Sequence, residues 1–369
     1  MGKVTAMANA TAGSTYFAAR PTLRVDGDIQ QLLGESQLQS LLVEETTLGL
    51  FRCEANFINS GTKNSGVDFL YFDRQILDFG KVFSVEFGPP GSNGPVFAGR
   101  ITGIEAHYPV NRPPEIQILA EDRLQDLRME RRTRSFENVT DTDVINQIAS
   151  QHGLTAQVQV DGPTYRTLVQ ANQSDLAFLR ERTTAIDAEL WVDNRTLYAQ
   201  NRSRRSAGTV TLTYKKELLE FTVLADLAHQ RTSVRVSGWN VKDKQAIDVE
   251  AGESAIQAEL NGGRSGSAVL ARTLAERRER VVISTPISQQ EAQKMAEARY
   301  RARARGFVRG QGVVTGDIRV RVGTTLVLKD LGLFFDGPYY VVLARHTFTL
   351  DDGFHTTFDV ERPGLGGQP

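Results

Sequence analysis

Cysteine occurs once in this 369-residue chain, at Cys53. A single cysteine excludes an intramolecular disulfide and any multi-cysteine metal site, and it fits folding in a reducing compartment. No run approaches the ~18 consecutive apolar residues of a membrane span. The opening stretch, MGKVTAMANATAGSTYFAAR, has no continuous apolar segment and does not read as a secretory leader. Net charge is −1, so no overall basic field argues for nucleic acid. Gly-x-Ser-x-Gly, His-Glu-x-x-His and P-loop signatures are missing as well. These absences predict a chain made in the cytoplasm, with no membrane segment, no cofactor and no catalytic residue.

What is present is ordinary for a globular protein: 40% apolar and 24% charged residues. The length suits two to four domains at ~100–150 residues each. The charge is uneven. Residues 137–200 carry nine acidic and four basic side chains, and residues 201–310 carry twelve acidic and twenty basic. Such asymmetry suggests surfaces that meet charged partners; solvated faces without a partner are the alternative.

Two segments repeat a pattern. FAGRITGIEAHYPVNRPPEIQILAEDR spans 97–123, and FDGPYYVVLARHTFTLDDGFHTTFDVER spans 335–362. Each opens Phe-x-Gly, at Phe97 and Gly99 and at Phe335 and Gly337. Each reaches a histidine, His107 or His346, then returns on a second alternating strand. Each ends in an acidic–Arg pair, Asp122-Arg123 or Glu361-Arg362. Strands at 81–87 and 325–329 precede them. This reads as one β-unit used twice, with Phe97, Gly99, Phe335, Gly337 and Tyr339 as fold determinants. A chance match of two hairpins is the alternative.

The expected architecture is β-rich α+β: two tube-like antiparallel β-barrels, a small α/β domain between them, and a helical insertion in the second barrel. A mobile arm covers 1–19 and the first barrel 20–136, with strands at 67–72, 81–87, 96–106 and 115–121. Gly61–Gly66 and Pro89–Pro95 are loops. The α/β domain covers 137–200. Its first helix starts at a capping box, Thr140-x-x-Asp143, and stops at Gly153. A second helix starts at Ser174, and a hairpin turns at Asp193-Asn194. The second barrel takes 201–245 and 306–362, including strands at 210–214, 220–223 and 233–239. The insertion, 246–305, holds a helix starting at the capping box Ser288-x-x-Glu291. Residues 363–369 are a tail.

Several motifs suggest chemistry without carrying it. A turn at Leu350–Gly353 would put His355 diagonal to His346 on one sheet face, yet no third metal ligand is evident. Asp141-Thr142-Asp143 sits at a helix start, where capping explains it. Gly310-x-Gly312-x-x-x-Gly316 misses the dinucleotide spacing by one residue. Two arginine clusters remain, Arg123, Arg128, Arg131, Arg132 and Arg134, and Arg299, Arg301, Arg303, Arg305 and Arg309. Few aromatics interleave them, which disfavours nucleic acid. Arg128, Arg131, Arg132, Arg303 and Arg305 are therefore candidate subunit contacts.

An ordered series of segments resembles the phage late control protein D family. It comprises Phe97-Ala-Gly99-Arg-Ile101-Thr, Ala120-Glu-Asp122-Arg-Leu124-Gln-Asp-Leu127, Asn172-Gln-Ser174-Asp-Leu176-Ala-Phe178-Leu179, Val234-Arg-Val236-Ser-Gly238-Trp239-Asn240, and Gly337-Pro-Tyr339-Tyr-Val341 onward through His346 and Thr357-Phe358 to Arg362. The resemblance covers about 20–362. It implies a hub of a contractile tail or related injection machine, similar to the N-terminal half of type VI secretion spike proteins. It further implies a homotrimer whose six barrels form a pseudo-sixfold ring, placed in a virion tail baseplate or an injection particle. The implied partners are inner tube proteins, other baseplate proteins, and a cargo or tape-measure protein in the lumen. The sequence ends at Pro369 without the spike portion of the type VI pattern, so a separate spike protein is expected. The sequence also carries Asp187-Ala188 where that family often has glycine. A tail-tip cell-wall hydrolase and a β-rich nucleic-acid binder are the competing readings.

Overall fold

A computed structural model describes residues 20–63, 66–88, 94–285 and 287–366. The predicted arm at 1–19, part of the 61–66 loop, most of the 89–95 loop and the end of the tail lie outside them. The chain folds as predicted into a β-rich α+β protein, dominated by one 13-stranded sheet.

The first part of that sheet is β1 (Thr22–Val25), β2 (Leu38–Thr46), β3 (Arg52–Ile58), β4 (Val82–Phe87), β5 (Gly94–His107) and β6 (Glu115–Glu121). Buried positions alternate with more accessible ones along these strands, in β5 only as far as Ile101, and the buried set, including Leu38, Val43, Phe57, Phe83, Ile101 and Ile118, forms one core. Asp122 then caps the 3₁₀ turn Arg123–Arg128, its carboxylate accepting from Leu124 N and from Phe51 N, both at 2.8 Å. That turn takes the chain out of the sheet.

Next come β7 (Arg131–Thr140), α1 (Asp141–Gln151), β8 (Thr155–Gln159), β9 (Thr164–Ser174), α2 (Asp175–Ala185), β10 (Ala188–Asp193) and β11 (Thr196–Asn201), packed around a second core. Both predicted helix starts appear: the Thr140–Asp143 capping box is complete, and Ser174 accepts from Ala177 N. Asp187 takes φ +57°, a conformation aspartate tolerates, so the turn survives without glycine.

The rest is β12 (Thr209–Thr213), β13 (Leu218–Ala225), β14 (Ser233–Asn240), β15 (Gln245–Ala251), α3 (Gly266–Leu274), β16 (Arg278–Val282), α4 (Gln289–Arg305), β17 (Val308–Thr315), β18 (Thr325–Lys329), β19 (Gly337–Thr349) and β20 (Gly353–Arg362). Strands β12, β13, β17, β18, β19 and β20 complete the large sheet. Its order is β13-β17-β20-β19-β2-β3-β6-β5-β4-β1, ending in the two-residue strand Asp28–Ile29, with β18 attached to β19 and β12 to β18.

Inside this sheet one pattern occurs twice. The order β4-β5-β6-β3-β2 recurs as β18-β19-β20-β17-β13. Val82 faces Arg100 as Thr325 faces Tyr340. Ile101 faces Ala120 as Val341 faces Val360, and a bulge follows each, before Gly103 and before Leu343. Arg52 faces Glu121 as Arg309 faces Glu361. Leu38 and Ser40 flank a second bulge, as Leu218 and Glu220 do. Four consecutive pairings thus share register and both bulges. Outside them the copies differ: β1 runs antiparallel to β4, whereas β12 runs parallel to β18.

Five sequence expectations need correction. Only Gly66–Asp68 of the 67–72 strand is extended; the chain then turns, with Asp73 and Asp78 capping backbone amides. Residues 131–136 leave the first barrel because β7 pairs with β9. The 233–239 strand does not join the second barrel: β14 pairs with β15 and β16 in a separate sheet over α4. The insertion is accordingly α/β, not loop and helix alone. The hairpin loop ends at Gly353, which pairs with Thr349 at φ +73°. His355 therefore faces Thr347, one position from the Thr356 that faces His346, and the two histidines take opposite faces.

Candidate assembly interface

The two copies of the sheet pattern meet at β2 and β19. These pair antiparallel from Thr46↔Leu343 to Ser40↔Thr349. Leu41, Val43 and Glu45 share one face of β2 and are all buried. Opposite them lie Phe348, His346 and Ala344, also buried. On the other face Glu44 pairs with Arg345 at 2.6 Å. Glu45 accepts from Arg321 Nε at 2.8 Å and from Val322 N at 3.4 Å, so the loop before β18 clamps onto β2. The sequence reading did not single out Glu45. Its signal was there: strand alternation puts Glu45 on the Leu41 and Val43 face, where a carboxylate needs a partner.

His346 lies within this junction. Its Nδ1 is 3.0 Å from Thr356 Oγ1, and its Nε2 has no partner. Burial pushes its pKa down to about 4. Asp122, at the opposite end of β6 from His107, is pushed up to about 7 by burial, against the two amides that it accepts from. No group of three or more metal-ligating side chains occurs among the described residues. The glycines of 310–316 lie under rings: a Cβ at Gly310 would strike Phe221, at Gly312 Phe358, and at Gly316 Phe354.

The five sequence-nominated fold residues fall into the two copies, but not as the sequence aligned them. The shared register sets Gly99 against Tyr339 and Phe97 against Gly337, so bulk and absence of bulk are exchanged. In the first copy, a Cβ at Gly99 would collide with the Glu121 carbonyl oxygen and the Phe97 ring. In the second, Tyr339 is buried, its hydroxyl donating to Phe335 O at 2.8 Å. Arg362 covers its ring at 4.3 Å and donates to Asp336 O and Phe334 O.

Each of the five arginines nominated as subunit contacts has a partner within the chain. Arg128 pairs with Glu121 at 2.5 Å, Arg131 donates to Asn172 O, Arg132 pairs with Glu130, and Arg303 pairs with Glu279. Arg305 is a correction. It is buried between Asp187 and Glu259, where it ties α4 to the turn after α2 and cannot reach another molecule.

This fold, with one strand pattern used twice in a single sheet, is that of phage tail proteins. The 43 kDa tail protein of prophage MuSo2 from Shewanella oneidensis matches it with TM-score 0.69 at 15% identity, covering 94% of this chain and 98% of that one. A tail protein from Neisseria meningitidis MC58 matches with TM-score 0.68 at 11% identity, covering 95% and 98%. An E. coli component of the type VI secretion system, itself described as similar to T4 bacteriophage tail proteins, matches with TM-score 0.56 at 12% identity, covering 94% and 80%. In sequence, residues 19–349 match the family described as the Alg8 N-terminal domain, and the chain belongs to that family. Among curated proteins none matches.

Proposed function

We propose that this chain is the structural hub of a contractile phage tail or a related injection system, with no catalytic role. Three copies would form a ring of six similar sheet units. Such a ring matches a hexameric inner tube on one side and a trimeric spike, supplied by a separate protein, on the other. Other baseplate proteins would surround it, and its lumen would take a cargo or the end of a tape-measure protein. The late control protein D resemblance points the same way.

The observation that carries this reading is the repeat of four strand pairings and two bulges in one register, with the copies side by side in a single sheet. Two near-equivalent units per chain convert threefold into approximate sixfold symmetry, and heterologous contacts close such rings. The test is native mass spectrometry of the chain alone and with the spike protein. A trimer in either sample is the expected result. A monomer in both, indifferent to the spike, would overturn it.

A further inference from the structure

Among the described residues the two units pair strand to strand once, β2 with β19, and the two edges that would repeat that pairing are open. In the shared register β2 corresponds to β13: Arg52 faces Glu44, and its counterpart Arg309 faces Leu224. Likewise β19 corresponds to β5, Val341 to Ile101. Among the described residues β13 has β17 on one side and, apart from a single bridge between Leu218 and Tyr214 at its start, no strand on the other. Beyond Ile101, β5 pairs with β6 on one side only, whereas β19 beyond Val341 has β20 on one side and β2 on the other.

We infer that β13 of one copy pairs antiparallel with Gly103–His107 of β5 and the adjoining Tyr108 in the next copy, in the register of the internal β2–β19 contact. That register sets Leu224 against Glu105, Thr222 against His107, Val223 against Ala106, Ala225 against Ile104 and Phe221 against Tyr108. This rests on the ring reading and specifies its contact.

The side chains fit. The inward face is apolar on both edges: Phe221, Val223 and Ala225 meet Tyr108, Ala106 and Ile104. At the internal contact the corresponding β2 residues are nearly inaccessible, with Leu41 2%, Val43 0% and Glu45 1% exposed. Their counterparts on β13 are only half-buried, and Tyr108 is 61% exposed. A strand edge with unpaired backbone and half-covered apolar side chains is a template for another strand. A second copy supplies one of the right length and direction. The internal Glu44–Arg345 ion pair is replaced by Leu224 and Glu105, so the outer contact relies on backbone bonds and apolar burial.

The experiment is cysteine cross-linking in the full chain, where the native Cys53 is buried. Directly opposed residues in antiparallel strands have Cα atoms about 4.5–5.5 Å apart, within disulfide reach. Glu105→Cys with Leu224→Cys should give covalent dimers and trimers on mild oxidation, and neither single variant should. Glu105→Cys with Thr222→Cys, two positions out of register, should give little. Ala106→Arg, at an exposed site in the isolated chain, should abolish the trimer while leaving the thermal transition of the monomer in place. A native trimer that cross-links in neither pair, or equally in both, would overturn the register while sparing the ring. A persistent monomer would overturn both.

Discussion

Gly80 and Gly323 occupy the same place in two copies of one sheet. Gly80 N donates to Ile101 O at 2.9 Å and Gly323 N to Val341 O at 3.1 Å, in each case to the residue before the bulge. Ile101 N returns a bond to Lys81 O and Val341 N to Thr324 O, both at 3.0 Å. Both glycines have positive φ, +79° and +94°. The backbone of an L-residue resists that conformation. Gly80→Ala should cost about 1–2 kcal/mol through the backbone alone, because its Cβ would meet nothing. Gly323→Ala should cost at least as much, since its Cβ would approach Arg205 at 3.1 Å. Denaturant midpoints at constant m-value check both.

Gly99 is needed for a different reason. A Cβ there meets the Glu121 carbonyl oxygen as well as the Phe97 ring. Gly99→Ala should destabilise by about 1–3 kcal/mol. Trimming Phe97 to Leu in the same chain should not rescue it, because the obstacle is backbone. Full rescue, read by thermal unfolding of the three variants, would show that the ring was the whole obstacle.

The Glu45–Arg321 pair holds the loop before β18 against β2, with Glu45 1% exposed. Arg321→Met strands a buried carboxylate and should cost about 3–5 kcal/mol. Adding Glu45→Met should recover most of that, since removing both charges also removes their desolvation. A double-mutant cycle in urea measures the coupling.

His346 and Asp122 should tilt stability with pH in opposite senses. The His346 pKa is depressed to about 4, so its contribution is present above about pH 6.5 and is lost as pH falls towards 4. The change is about 3 kcal/mol from the size of that shift. The Asp122 pKa is raised to about 7, so its contribution is present below the usual carboxylate range and is lost as pH rises through 7. His346→Gln should therefore lose less stability than the parent between pH 6.5 and 4, and Asp122→Asn should lose more. Unfolding curves of the three proteins at pH 4.5, 5.5 and 7.5 decide it; parallel profiles would contradict both assignments.

Local signals were legible in the residues themselves. Thr140 with Asp143, and Ser288 with Glu291, start helices because a hydroxyl and a carboxylate three positions apart satisfy free amides. Alternation marked β4, β5, β6 and β20, since one sheet face is buried and the other is not. The duplication was visible, but its alignment was not. Matching letters set Gly99 against Gly337, whereas the hydrogen-bond ladder sets Gly99 against Tyr339. The ladder answers to backbone geometry and bulges, and a ring can move by two positions as long as the core stays filled. Long-range choices were beyond sequence for the same reason. Strand β14 alternates as a barrel strand does, yet pairs with β15 and β16 over α4, and Arg305 resembles its surface neighbours until Asp187 and Glu259 close around it. Composition and periodicity determine what each segment can form; which edges meet, and which charges become buried, depends on contacts between residues distant in sequence, from 46 positions for Arg305 and Glu259 to 276 for Arg321 and Glu45.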